Sequence, residues 1–294
     1  MVRLLDTLIS GLSTGSSYAL LGIALNLIIM SADVLNIAVT EFAVLGAFVV
    51  IGTVGHGLSL PVAVVVTMLG AAVVGALQYD VSMRSPSRGG SSVRTPFVIT
   101  LAVALIMRGV EQAVWGTDVY GLRSFTRAKP FLIDGVAVPT QSIWVVGATI
   151  VASVTVWFVF GWTVWGKVLR AIAQNKEAAR LVGIKTERVT RFTFMVAGAL
   201  ATMAGVFIVP ITFVSYDTGI GFLLYAFIAV GIGGFGKSSG AILGGLSVGI
   251  LNAVVSGYVS ALFGTAIVFA ILIVVLAVFP GGVLGRAQDA IRRV

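Results

Sequence analysis

The chain has no cysteine and a single histidine, His56, in 294 residues. Disulfides and thiolate metal sites are thereby excluded. One imidazole offers no second ring for a metal site and no partner for a nucleophile set; His56, in the short loop 52–60, reads as a surface residue. Charge is equally scarce: Asp, Glu, Lys and Arg make up 10% of the chain, against about 25% in soluble domains. That leaves too few polar side chains to cover a water-facing fold. Outside the loops there is no basic helix and no aromatic-basic alternation, so the formal charge of +8 does not point to nucleic acid. It reads as orientation signal and contact with anionic membrane lipids. Gly236-Lys237-Ser238 is not read as a phosphate-binding loop, since no soluble strand precedes it. Any ATP hydrolysis is therefore expected from another chain.

What is present in excess is apolar. The chain is 58% hydrophobic, with a mean hydropathy of +1.09. Apolar segments fall near 8–30, 35–54, 60–83, 95–115, 141–160, 191–211, 222–236, 240–257 and 260–280. A span needs roughly 20 residues, so most qualify. Segments 222–236 and 240–257 are short and glycine-rich, with the character of half-helices or re-entrant pieces, and Glu41 interrupts 35–54. The first segment is too long for a signal-peptide core and reads as a retained span. The expectation is an all-α, polytopic membrane protein of eight to nine transmembrane or re-entrant helices, forming one domain over 1–294.

Residues 161–191 are a basic island in this apolar chain. Lys167, Arg170, Lys176, Arg180, Lys185, Arg188 and Arg191 stand against Glu177 and Glu187, seven positive charges against two, a net of +5. Short Lys/Arg-rich loops stay cytoplasmic, so alternation places the 84–94 loop inside with Arg84, Arg88 and Arg94. The tail with Arg286, Arg292 and Arg293 is also inside, and the 52–60 loop is outside. The 116–140 loop falls outside despite Arg123, Arg127 and Lys129, offset in part by Asp118 and Asp134. Within the island, Asn175 is placed as an N-cap, Glu177 lies in a first turn, and Gly183 is placed to terminate. This predicts a helix over 176–182, followed by Thr186 as the cap of the next one. An amphipathic connector on the lipid headgroups is the competing reading.

Glu177-Ala178-Ala179, three residues, then Gly183 has the spacing of the EAA loop of ABC-importer permeases. Further stretches extend the match: Gly11 to Leu20, Val34-Leu35-Asn36-Ile37-Ala38 through Leu45-Gly46-Ala47, Ala226-Phe227 through Gly236, and Gly240 to Gly245. In order and spacing the chain resembles the branched-chain amino acid ABC transporter permease family of the LivH and LivM type. The resemblance implies a transport subunit of the inner membrane and not an enzyme. Its implied partners are a second permease, identical or paralogous, two cytoplasmic ATPases that would bring ATP and magnesium, and an extracytoplasmic solute-binding protein. No cofactor is implied for this chain itself. Glu177, Ala178, Ala179, Arg180, Leu181 and Gly183 would form the ATPase-docking element. Solutes of the family include branched-chain amino acids, urea and short amides; a ribose-type sugar permease and an ATP-independent channel or carrier remain the alternatives.

Intramembrane polar residues are costly and are the default functional candidates. Asn26, Asn36, Glu41, Asp80, Arg108 and Glu111 stand out. Arg108 and Glu111, three apart, are expected to pair with each other, and Asp80 to reach the headgroups. The chain departs from the family pattern at Val39 and Thr40, between Asn36 and Glu41. Tyr18, Asn26, Asn36, Thr40, Glu41, Gly233 and Gly234 are the expected translocation-path residues. Glycines number 36, and Gly11/Gly15, Gly240/Gly244 and Gly245/Gly249 have the four-residue spacing that lets membrane helices approach closely. The run 231–240 is a place where a helix can unwind.

Overall fold

Backbone N–H and C=O groups in hydrocarbon have no water to bond and must pair within their own segment. Every apolar segment here accordingly folds as helix. The computed structural model describes residues 2–84, 95–126, 130–133, 136–260 and 263–279. In chain order these form α1 (Val2–Ala32), a 3-10 turn (Ile37–Val39), α2 (Glu41–Gly55) and α3 (Leu60–Tyr79, prolonged by a π turn Asp80–Arg84). Then come α4 (Thr95–Trp115), α5 (Thr140–Trp162), α6 (Val164–Gln174), α7 (Lys176–Leu181), α8 (Thr186–Thr212), α9 (Thr218–Gly233), α10 (Ser238–Tyr258) and α11 (Gly264–Val278). Among the described residues, seven stretches are long and apolar enough to cross a membrane, and α9 and α11 are shorter apolar helices. The all-α polytopic expectation is met, apart from a small antiparallel hairpin, β1 (Phe131–Ile133) with β2 (Val136–Val138), in the 116–140 loop.

Two segments differ from expectation in an informative way. Glu41 does not interrupt a span: Asp33 enters the left-handed region (φ 55) and ends α1. Asn36 then caps the 3-10 turn by accepting from Ala38 N, and Glu41 becomes the first residue of α2. The 222–236 segment begins earlier, at Thr218, because a Ser215–Thr218 turn starts it. Arg88 and Arg94, Arg127, Lys129 and Asp134, and the basic tail beyond Pro280 lie outside the described residues.

The core is built on α1 and α8. Most of α1 is buried, as befits a helix apolar on all sides, whereas α3, α4 and α5 turn Leu69, Val73, Ile106, Val151 and Trp157 outward, faces suited to hydrocarbon. α1 crosses α10 at Gly11, Gly15, Gly245 and Gly249, so closely that a Cβ on Gly249 would lie 2.1 Å from Gly15 Cα. α9 crosses α10 at Gly233, Gly240 and Gly244. The spaced glycines are thus packing residues at two crossings. Threonines fasten α8 to its neighbours: Thr202 Oγ1 donates to Phe42 O (3.0 Å) and Thr190 Oγ1 to Ser31 O (3.1 Å).

These contacts define two faces. The start of α8 meets the ends of α1 and α3, through Thr190 to Ser31 and an Arg191–Asp80 ion pair of 2.9 Å. The end of α8, about 40 Å away for 27 residues, meets the end of α4, where Tyr120 and Val214 exchange backbone hydrogen bonds of 2.8 Å. The basic loop therefore sits on one face and the α8–α9 connection on the other.

Candidate functional site

On the basic face, α6, α7 and the start of α8 form one folded unit. Asn175 caps α7: its Oδ1 accepts from Glu177 N (3.0 Å) and Ala178 N (2.9 Å). At the other end Gly183 adopts φ +85, and Gly183 N and Ile184 N close the turn on Arg180 O and Ala179 O. Ala179 is buried beneath the helix. Thr186 does not cap α8, which it begins; its hydroxyl accepts from Arg180 Nε at 3.0 Å and ties α7 to α8. Burial, and then Arg180, lower Lys176 from its ordinary value against the pull of Asp33 and Glu187. The outward tip is apolar: Leu181 is 88% and Val182 77% exposed. Of the expected docking residues, Ala179 and Gly183 shape the helix and Leu181 is displayed.

The connector reading also has a physical counterpart in α6, which buries Gly166, Leu169 and Ile172 and exposes Val164 and Trp165. Both features occur, on different helices.

On the opposite face a cavity of about 280 Å³ opens between the end of α8, the first turns of α9, and α1. Tyr18 and Tyr225 stack along it, centroids 4.5 Å apart and planes 15° apart. Tyr225 is held by Asn252 Oδ1 (3.1 Å) and Thr265 Oγ1 (2.7 Å), joining α9 to α10 and α11. Asp217 and Thr218 stand at the mouth, and Phe213 takes φ 59, ψ 176. That conformation costs a non-glycine residue about 1–3 kcal/mol and persists only where the surroundings enforce it.

The remaining expected path residues are packed inside and do not line this cavity. Asn26 is fully buried on α1, its Oδ1 accepting from Gly236 N (2.6 Å), so it holds the α9–α10 break. Gly234 (φ 96) opens that break, and Gly233 packs against Gly240. Residues 231–238, GIGGFGKS, have the literal spacing of a phosphate-binding loop. They are the end of one apolar helix and the start of another, with no strand before them, so that fold is absent. Asn36 accepts from Gln78 Nε2 (2.9 Å) beside the 3-10 turn, and Thr40 is buried there. The Glu41 carboxylate abuts Gly219 in the first turn of α9, where any Cβ would collide with it.

One expected pairing is corrected. Arg108 does not pair with Glu111; its guanidinium lies 5.2 Å from the Tyr216 ring centroid. Both Glu111 oxygens are buried without a hydrogen-bond partner among the described residues. The cation is seated over an aromatic face across the helix gap. Asp80, expected at the headgroups, receives Arg191 at 2.9 Å, with Arg84 farther off at 3.7 Å. Asp217, Thr218, Phe222 and Tyr225 were missed as site residues. Their signal was present in Asp217-Thr218-Gly219, a turn-and-cap signature, but hydropathy alone starts that segment at Phe222.

Comparison with known proteins agrees with this architecture. A family described as branched-chain amino acid transport system / permease component matches residues 7–276. The chain is 28% identical to the high-affinity branched-chain amino acid transport system permease protein LivH of Escherichia coli K12, over 97% of this chain and 96% of that protein. It is 29% identical, with the same coverage, to the corresponding permease BraD of Pseudomonas aeruginosa. The ribose import permease RbsC of E. coli K12 is 24% identical over 84% of this chain and 77% of its own length. No solved structure matches. With the family matching residues 7–276 and seven apolar spans among the described residues, the chain belongs to the branched-chain amino acid transport system permease components, multi-pass inner-membrane transport subunits and not enzymes.

Proposed function

We propose that this chain is one of two permease subunits through which an ABC importer brings a branched-chain amino acid into the cell, with cytoplasmic ATPases supplying the drive. An extracytoplasmic binding protein delivers the solute. ATP and magnesium belong to the ATPases. The reading rests chiefly on α7: a six-residue helix, capped at both ends, that displays Leu181 and Val182 on the basic face. Apolar side chains so exposed beside a net-positive loop fit an acidic-rimmed groove on a partner, and a helix this short gains from being held by one.

Mechanistically, closure of the ATPase pair pushes α7. Ala179 beneath it and the Arg180–Thr186 hydrogen bond pass the displacement to the start of α8. α8 is fastened to α1 and α2 by Thr190 and Thr202, so it carries the motion as a rigid element to the α8–α9 connection. Urea and short amides are narrower alternatives within the same scheme. The ribose-type reading has support in the RbsC similarity, at lower identity and coverage.

The test is ATP-driven leucine uptake by the native complex, isolated in mild detergent and reconstituted. Recovery with a second permease and two ATPases, and uptake that stops without ATP, is the expected result. Gly183→Val should then hydrolyse ATP with little uptake, because a β-branched residue at φ +85 distorts the end of α7. Uptake by this chain alone without ATP would overturn the reading.

A further inference from the structure

We propose that the cavity between α1, α8 and α9 is a solute station for a small zwitterion bearing a primary ammonium and an aliphatic side chain. The inference rests on the permease reading above and adds the residues that would hold the solute.

Position comes first. The cavity lies at the end of α8 remote from the basic loop, where an incoming solute first meets this subunit. At about 280 Å³ it falls just under the range of pockets for drug-sized ligands, which suits a molecule the size of an amino acid.

The wall chemistry then narrows the class. Tyr18, Tyr225, Phe222 and Phe213 supply aromatic and apolar surface for an aliphatic group. Three of the lining hydroxyls are already engaged. Tyr225 bonds Asn252 and Thr265, Thr218 Oγ1 accepts from Ser215 N, and Thr212 Oγ1 donates to Ile208 O. A polyhydroxyl sugar needs several convergent donors and acceptors, and these walls have few to spare. Asp217 is different. It is the one charged residue among the described lining residues, and it uses only Oδ1, toward Ser215 Oγ at 2.6 Å. Its second oxygen has no partner among the described residues, and the lining holds no Lys or Arg to compete with a cationic group. The positive end of the 16-residue α9 begins beside it, at Thr218, and favours a carboxylate. One carboxylate, one helix N-terminus and an aromatic wall together match the three parts of an aliphatic amino acid.

The strained Phe213 backbone belongs to this arrangement. It turns the chain sharply from α8 into the loop that carries Asp217, and its ring packs over Gly121 from the α4–α5 connection.

The experiment uses the whole complex in lipid nanodiscs without binding protein, probed with radiolabelled L-leucine and with 4-methylpentanoate, the same skeleton lacking the ammonium. Wild type should prefer leucine. Asp217→Asn should weaken leucine binding about tenfold, equivalent to about 1.4 kcal/mol, and leave 4-methylpentanoate unchanged or improved. Phe222→Ala should weaken both. Subunit recovery and basal ATP hydrolysis report whether each variant is assembled. If wild type takes up leucine with ATP while Asp217→Asn and Phe222→Ala bind it as wild type does, the station is refuted and the permease reading stands. If the wild-type complex moves no amino acid at all, both fall.

Discussion

Removing the cap of α7 is the sharpest test of the proposed coupling element. In Asn175→Ala, Glu177 N and Ala178 N lose the Oδ1 acceptor that now lies 3.0 and 2.9 Å away. An N-cap lost to alanine costs about 1 kcal/mol, an equilibrium factor of about five. Six residues make a marginal helix, and the ties that remain are the buried Ala179, the Arg180–Thr186 bond and the Gly183 turn. Asn175 is exposed and its side-chain bonds stay within α7, so the cost should appear as local opening. Hydrogen exchange of the assembled complex should show protection at the Ala179 and Val182 amides, which bond to Asn175 O and Ala178 O, falling about fivefold. Protection in α1 and α10 should stay unchanged. Solute moved per ATP hydrolysed should drop in parallel, and Asn175→Ser, which restores an acceptor, should recover most of both. Unaltered protection and coupling in the alanine variant would refute the argument that this cap holds the proposed docking helix.

Three further outcomes are expected. Gly249→Leu should abolish recovery of folded permease, since a Cβ there lies 2.1 Å from the Gly15 backbone and overpacking against backbone cannot relax by rotamer change; normal yield and thermal stability would contradict the crossing. Glu111→Gln should leave thermal stability equal or higher, because it replaces a buried carboxylate lacking a hydrogen-bond partner among the described residues with an uncharged isostere; a marked fall would reveal a partner for the charge. Lys176 is held below its ordinary value of 10.5 by burial and Arg180. Unfolding of the loop therefore takes up protons, and the stability of α7 should rise as pH rises toward that value. Exchange protection corrected for intrinsic rate should increase over that window in wild type and stay flat in Lys176→Gln.

Much of the molecule was legible in the chain itself, because the bilayer imposes strong local rules. A long apolar run must be helix, so the spans follow from hydropathy. Asn175 and Gly183 act within a few residues of their own positions, so the cap and stop of α7 could be read directly. The four-residue glycine spacing announced close crossings, since a small residue on one helix face serves only a neighbour.

Which partners those residues meet was decided by the tertiary structure. Gly15 fits Gly249 only once α1 and α10, more than two hundred residues apart in sequence, are brought together. Arg108 had Glu111 one turn away and Tyr216 on a distant loop, and the fold gave it the ring. Asp80 stood near a membrane face, but its ion pair with Arg191 exists because α3 ends where α8 begins. The cavity is the clearest case. Tyr18, Phe213, Asp217 and Tyr225 share no local pattern, and only the packing of α1 against the first turns of α9 makes them neighbours. Local energetics set the elements, while side-chain partnerships across them depend on which helices pack, a property of the whole chain.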